Sequence, residues 1–236
     1  MKIIDCDSHF IVPEIYNYVS DHLKPLLPQL VFGHDGQLTE INYKIDPITN
    51  ADAKFPNTLH CDLPGTSNIL KRIEDLATMQ VNKQLLTPQE RAMRFNYSVE
   101  KNLAAEIAHS YNLITKQIVD TYPDKFFAAA LLPLQDIDLA LAELDWVIKN
   151  NFNIVYIDYT NYDSSIRKNI AWSSVNRIDE FFKVCEDNNI IIFMHFLMQH
   201  LTAALLDYNS LIIEPYQEMY NHHYQFLYLL CHLECR

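Results

Sequence analysis

Short apolar runs alternate with amphipathic helical stripes along most of this chain, and the alternation predicts a parallel sheet covered by helices. Lys2-Ile-Ile-Asp-Cys-Asp7 is an apolar run closed by acids, the pattern of a buried strand. A long connection from about Phe10 to Ser67 follows and reads as an insertion; Asp35-Gly36 between apolar stretches predicts a β-hairpin inside it. The rhythm then becomes regular. Ile69, Ile73 and Leu76 share one face of a helix predicted over Asn68 to Met79, and Val81 to Leu86 reads as a strand. Thr87-Pro-Gln-Glu90 has the form of a capping box, so a helix is expected to begin there. Leu103, Ile107, Tyr111, Ile114 and Ile118 recur at spacings of three and four through a long helix predicted from Ser98 to Thr121.

The same alternation continues with a strand over Phe126 to Leu132. Asp136 is placed to cap a helix whose stripe is Ile137, Leu141, Leu144 and Ile148. Ile154 to Tyr159 reads as a strand, Ser173 or Ser174 opens a helix to about Asp187, and Ile190 to His195 is a strand ending on a histidine. Beyond Pro215 the sequence reads as helical to its end. Five strands, each followed by helical sequence, fit both a doubly wound sheet and a (β/α)8 barrel, and periodicity does not choose between them.

Composition narrows the function classes. The 236 residues carry a formal charge of −12, which argues against nucleic acid or an anionic membrane surface as a partner. No apolar run approaches the ~20 residues of a membrane helix, and the acids at Asp5 and Asp7 interrupt any signal peptide. Cys6, Cys61, Cys185, Cys231 and Cys235 are scattered and odd in number, as expected of reduced thiols in the cytoplasm. Cys231 and Cys235 with His222 and His223 match no common zinc spacing. Only 3 glycines are present, and asparagines at 150, 151 and 153 stand where a turn would ordinarily use glycine. Asparagine tolerates positive φ better than other non-glycine residues, so such turns can survive.

In either α/β architecture the chemistry sits at the C-terminal ends of the parallel strands. Those ends supply Asp7 and His9, Thr87, Pro133, Tyr159 to Asn161, and His195. Asp7 and His9 are two residues apart and on extended backbone point to the same side. With an imidazole from the fifth strand they would make three ligands of a divalent metal site. The spacing alone leaves two other readings open: a hydrogen-bonded structural histidine, and an Asp7 that caps a helix or pairs with a lysine.

The order of several segments resembles the amidohydrolase-related family that includes aminocarboxymuconate-semialdehyde decarboxylase and its decarboxylase and hydratase relatives. The segments are Ile4-Asp-Cys-Asp-Ser-His9 with Pro13-Glu14, Arg72 to Met79 with Gln84-Leu-Leu-Thr-Pro88, Asn112 with Tyr122-Pro-Asp-Lys-Phe126, Leu131 to Asp136 with Ala140 to Leu144, and Phe193-Met-His195. The resemblance implies a distorted TIM-type (β/α)8 barrel holding one catalytic zinc or another divalent ion, with Asp7, His9 and His195 as ligands. It implies decarboxylation or hydrolysis of a small carboxylated, aromatic-derived substrate through a metal-bound water.

The chain also departs from that pattern. Phe196 follows His195 where the family usually has proline, and Asn151-Phe-Asn153 replaces a glycine turn. The family's later catalytic histidine and aspartate would lie beyond Arg236, so about five of eight strand–helix units are expected in one truncated domain spanning 1–236. His200, His222, His223 and His232 are candidates to replace the missing ligand. The other expectation is a non-catalytic barrel fragment that persists by self-association, since an open sheet exposes strand edges.

Overall fold

The computed structural model describes residues 2–43, 58–89, 95–97, 99–158, 160–163, 168–171 and 177–195. Strand β1 (Ile4–Phe10) pairs in parallel with β5 (Lys83–Pro88), and β5 with β6 (Phe126–Ala128). Just past β6 the consecutive amides of Ala129 and Ala130 bond to opposite neighbours, Leu86 O at 3.0 Å and Ile154 O at 2.9 Å. That bridge carries the sheet on to β7 (Ile154–Asp158), which pairs in parallel with β10 (Ile191–His195). Each parallel strand is thus added on the same side as the one before, giving the order β1-β5-β6-β7-β10. A doubly wound sheet reverses direction at its switch point; an unreversed order is that of a (β/α) barrel. The doubly wound alternative is set aside. Among the described residues the arc holds five parallel strands and does not close.

Helices α1 (Ile69–Thr78), α2 (Lys101–Thr121), α3 (Ile137–Lys149) and α4 (Ile178–Asp187) alternate with these strands. Asn68, Glu100 and Asp136 cap the first three by accepting main-chain N–H bonds from the opening turn. The predicted stripe of α2 is buried at Leu103, Ile107, Tyr111 and Ile114, and Leu144 and Val147 of α3 are fully buried. Removing such side chains from water is the main favourable term holding helices to the sheet.

Three helices end in the same way. Gln80, Asn151 and Asn189 have φ of 57°, 60° and 52°. The next amide in each case reaches back five residues: Val81 N–H to Leu76 O (2.9 Å), Phe152 N–H to Val147 O (3.1 Å) and Ile190 N–H to Cys185 O (2.8 Å). These are Schellman turns with no glycine in the left-handed position. The sequence expectation for Asn151 holds; Asn150, at φ −98°, remains on the ordinary side.

Within the insertion, β2 (Gln29–Phe32) and β3 (Leu38–Asn42) form the predicted hairpin. Gly36 takes φ +75° at its tip, and the Asp35 carboxylate accepts the Gln37 N–H at 3.1 Å. A third antiparallel strand, β4 (Thr58–His60), and an antiparallel pair, β8 (Thr160–Asp163) with β9 (Lys168–Ala171), were not foreseen. All three are too short for a period-two pattern to stand out.

Several boundaries are corrected. Thr87 and Pro88 do not open a helix but end β5, because pairing with His9 and Phe10 extends the strand through them. Helix α2 starts at Lys101 under a Glu100 cap, and α4 at Ile178 after Arg177, whose φ is 62°. Ser98, Ser173, Ser174 and the predicted helix beyond Pro215 lie outside the described residues.

Candidate functional site

An irregularity in β1 sorts its acidic residues between two faces. Asp5 is level with Gln84 and Ser8 with Leu86, so β1 has one residue more than β5 over this stretch. Such a bulge changes which side the following side chains take. Asp5 and Ser8 meet Gln84 and Arg72 on the helix side, Gln84 Nε2 donating to Asp5 Oδ2 at 2.8 Å. Asp7 and His9 meet Thr87 and Tyr156 on the other side.

Thr87 lies between Asp7 and His9 and is fully buried. Its hydroxyl is 3.5 Å from Asp7 Oδ1 and 3.4 Å from His9 Nδ1, long contacts that leave both groups adjustable. His9 Nδ1 is 3.0 Å from the Pro88 carbonyl. A carbonyl only accepts, so Nδ1 carries the hydrogen and the ring's lone pair is on Nε2. A main-chain carbonyl holding one ring nitrogen is the arrangement commonly found behind metal-ligating histidines. The Asp7 carboxyl is raised above its ordinary range, first by loss of water around it and then by Asp5; His9, Thr87 and Tyr156 oppose that. Tyr156 is fully buried, edge-on to the His9 ring with centroids 6.4 Å apart and stacked on Phe193 at 5.3 Å.

Arg72 of α1 braces the far side of β1. Its Nε donates to Gly65 O at 2.6 Å and its NH2 to His9 O at 2.6 Å. NH1 donates to Ser8 Oγ and to Gln84 Oε1, the guanidinium lies 5.1 Å from the Phe10 ring, and burial lowers its pKa to about 10. A planar, five-donor head meets carbonyl and hydroxyl acceptors from three segments at once, which fixes the main chain on which His9 stands.

Of the three residues expected to bind metal, Asp7 and His9 converge. The main chain of His195 pairs with Asp158, two positions beyond the Tyr156–Phe193 pair in the same ladder. Its side chain, and His200, His222, His223, His232, Cys231 and Cys235, lie outside the described residues. Among the described residues no group of three His, Cys, Asp or Glu side chains is gathered for a metal. Pro133 has no metal-binding side chain, and the side chain of Asn161 and the whole of Tyr159 lie outside the described residues. Sequence reasoning missed Arg72 and Tyr156 as members of this environment. It placed Thr87 among the strand ends that could carry chemistry, while also reading the same residue as a helix cap. Cys6, Cys61 and Cys185 are in no disulfide, and among the described residues no helix is long and apolar enough to cross a membrane.

No family model and no curated protein sequence matches the chain. Solved structures do match. A 2,6-dihydroxybenzoate decarboxylase from Rhizobium is 18% identical with a TM-score of 0.54, over 83% of this chain and 50% of that one. A dihydroxybenzoic acid decarboxylase from Polaromonas, solved with manganese and the inhibitor 2-nitroresorcinol, is 17% identical with a TM-score of 0.54, over 94% and 54%. An amidohydrolase from Mycobacterium avium subsp. paratuberculosis is 13% identical with a TM-score of 0.59, over 86% and 61%. The chain therefore spans about half the length of these structures, up to 61% of one. Its fold is that of the amidohydrolase-type barrels, the same group of proteins to which its sequence resemblance points.

Proposed function

We propose that this chain is the strand β1 to β10 part of a metal-dependent decarboxylase or hydrolase acting on a small carboxylated aromatic compound. The observation that carries the reading is the placement of Asp7 and His9 together at the C-terminal end of β1, where (β/α) barrels hold their chemistry. The donor set fits a divalent ion: a desolvated carboxylate, and an imidazole whose Nδ1 hydrogen is committed to Pro88 O. His195, at the same end of β10, is the third ligand in this reading. A bound divalent ion would supply Lewis acidity and lower the pKa of water at the site. Imidazole and carboxylate donors suit zinc, and the Polaromonas structure holds manganese.

The remaining steps belong to the chain's own residues. Asp7 and His9 present their donors from one face of a strand braced by Arg72. Thr87 O–H donates to Asp7 and steadies the carboxylate in its ionised form. Tyr156, fully buried and stacked on Phe193, backs the His9 ring edge-on and holds it in place. The substrate class rests on the decarboxylases above, one of which was also solved with 2,6-dihydroxybenzoate bound. The activity, like the family membership and a homo-oligomeric state, is part of the proposal.

Metal content after dialysis, read by elemental analysis for the wild type, Asp7→Asn, His9→Ala and His195→Ala, tests the reading. One bound ion per chain in the wild type and at least about tenfold weaker retention in each variant are expected. Equal metal content in all four proteins would sink the metal site. Metal binding without release of carbon dioxide from 2,6-dihydroxybenzoate would leave a binding fragment, not an enzyme for that substrate.

A further inference from the structure

Strands β1 and β10 stand at opposite ends of the five-strand arc, and among the described residues no main-chain pairing joins them. Strands β5, β6 and β7 lie between, so direct pairing does not fix how far His9 stands from β10. Tyr156 of β7 spans that interval with its side chain. On one side its ring meets the His9 ring edge-on, with centroids 6.4 Å apart and planes at 86°. On the other it stacks on Phe193, with centroids 5.3 Å apart and planes at 18°. Tyr156 and Phe193 are lateral partners in the β7–β10 ladder, and the main chain of His195 is two positions further along β10. A continuous line of rings therefore runs from a proposed ligand on β1 to the strand that carries His195.

The line is anchored at the β1 end. His9 is held by the Pro88 carbonyl through Nδ1 and by Arg72 through its own carbonyl, and the Tyr156 hydroxyl is a hydrogen-bonding partner of the Asp7 carboxylate. Edge-on and stacked contacts are the favoured geometries of ring pairs, and a close-packed interior transmits a displacement instead of absorbing it. Tyr156 is 0% exposed. A side chain with no exposed surface does not touch a substrate, so whatever it does for the site it does through the residues packed against it. A binding constellation tolerates errors of only about 0.5 Å, which makes the spacing between the two ends of the arc worth holding.

We propose that Tyr156 is a positioning residue, a strut whose ring, with Phe193, sets the distance between His9 on β1 and the β10 main chain that carries His195. The use made of that distance rests on the metal reading above; the strut itself belongs to the metal-free chain.

The test is manganese(II) binding to the full chain, read from the electron paramagnetic resonance signal of the free ion. Phe193→Leu removes one end of the strut and none of the proposed ligands, and should weaken binding at least about tenfold. Tyr156→Phe keeps the ring and should stay within about fivefold of the wild type. In a His195→Ala background the distance no longer matters, so Phe193→Leu should cost nothing further; a general folding defect would cost as much there as in the wild type. A Phe193→Leu protein, folded by near-ultraviolet circular dichroism, that binds manganese as tightly as the wild type would overturn the proposal. So would an equal loss in both backgrounds. If the wild type itself holds no manganese, the metal reading fails and the metal-free chain decides the strut. There His9→Ala should move the amide resonances of Phe193 to His195 when Tyr156 is present, and not in a Tyr156→Leu background. Amides that respond alike in both would overturn the strut on its own.

Discussion

Glu143 is held where water barely reaches it, 9% exposed, between α2 and α3. Its Oε1 accepts from Asn112 Nδ2 at 2.8 Å and its Oε2 lies 3.0 Å from His109 Nδ1. Asn112 in turn grips the main chain of Leu131 on both sides, accepting its N–H and donating to its carbonyl at 2.8 Å each. Loss of water raises the Glu143 carboxyl above 4.5, with Asn112 and His109 opposing. A carboxyl whose folded value is raised favours the folded state when protonated. Its contribution is therefore fully present below the unfolded value and is lost as pH rises through the folded one. Glu143→Gln keeps the acceptor for Asn112 and carries no charge at any pH. The variant is expected to melt higher than the wild type near neutrality, with the difference closing as pH falls toward about 4. Protonated His109 favours the carboxylate, but its side chain is 45% exposed, and such exposed pairs contribute little. Melting curves from about pH 4 to pH 7 with no pH-dependent gap would show that the His109 pair outweighs burial.

At the scale of the element, the turns after α1, α3 and α4 repeat one device, and glycine is absent from all three. A left-handed φ costs a residue with a Cβ about 1 kcal/mol, less for asparagine, whose short side chain tolerates it. Gln80→Gly should therefore stabilise the protein by up to about 1 kcal/mol, and Asn151→Gly by less. Urea melts that rank them the other way would mean the Gln80 side chain makes compensating contacts. Asn151 was legible beforehand because an asparagine at a helix end has one obvious use; glutamine has none, so Gln80 was not. The same limit explains Thr87. Thr87-Pro-Gln-Glu90 satisfies the local rule for a capping box, yet pairing with β1 draws Thr87 and Pro88 into the sheet, and no local pattern encodes that. Asp7 and His9 were readable as partners because two-residue spacing on a strand is local; the bulge that turns Asp5 away from them depends on register with β5. Arg72 was invisible as a brace because its acceptors are Ser8 and His9, more than 60 residues away, the Gly65 main chain, and Gln84 on the following strand, which only the folded chain brings together.

At the scale of the molecule, the alternation of runs and stripes established the α/β class, and strand order, which only the structure supplies, distinguished barrel from doubly wound sheet. That order has a consequence for stability. Strands β5, β6 and β7 each have neighbours on both sides, whereas among the described residues β1 and β10 each pair on one side. Amides satisfied within a sheet exchange with solvent only when the structure opens, and edge amides facing outward exchange readily. Hydrogen exchange followed by NMR should find slow amides through Gln84 to Leu86 and at Ala130, with fast and slow amides alternating along Ile4 to Phe10. If the outward amides of β1 are also slow, that edge is covered in solution. Dilution then identifies the cover: protection lost at low concentration means a second molecule pairs there, and protection retained means another segment of the same chain does. The first result would give the self-associated fragment physical content, and the second would place a further strand beside Asp7 and His9, where additional ligands for the proposed ion would have to stand.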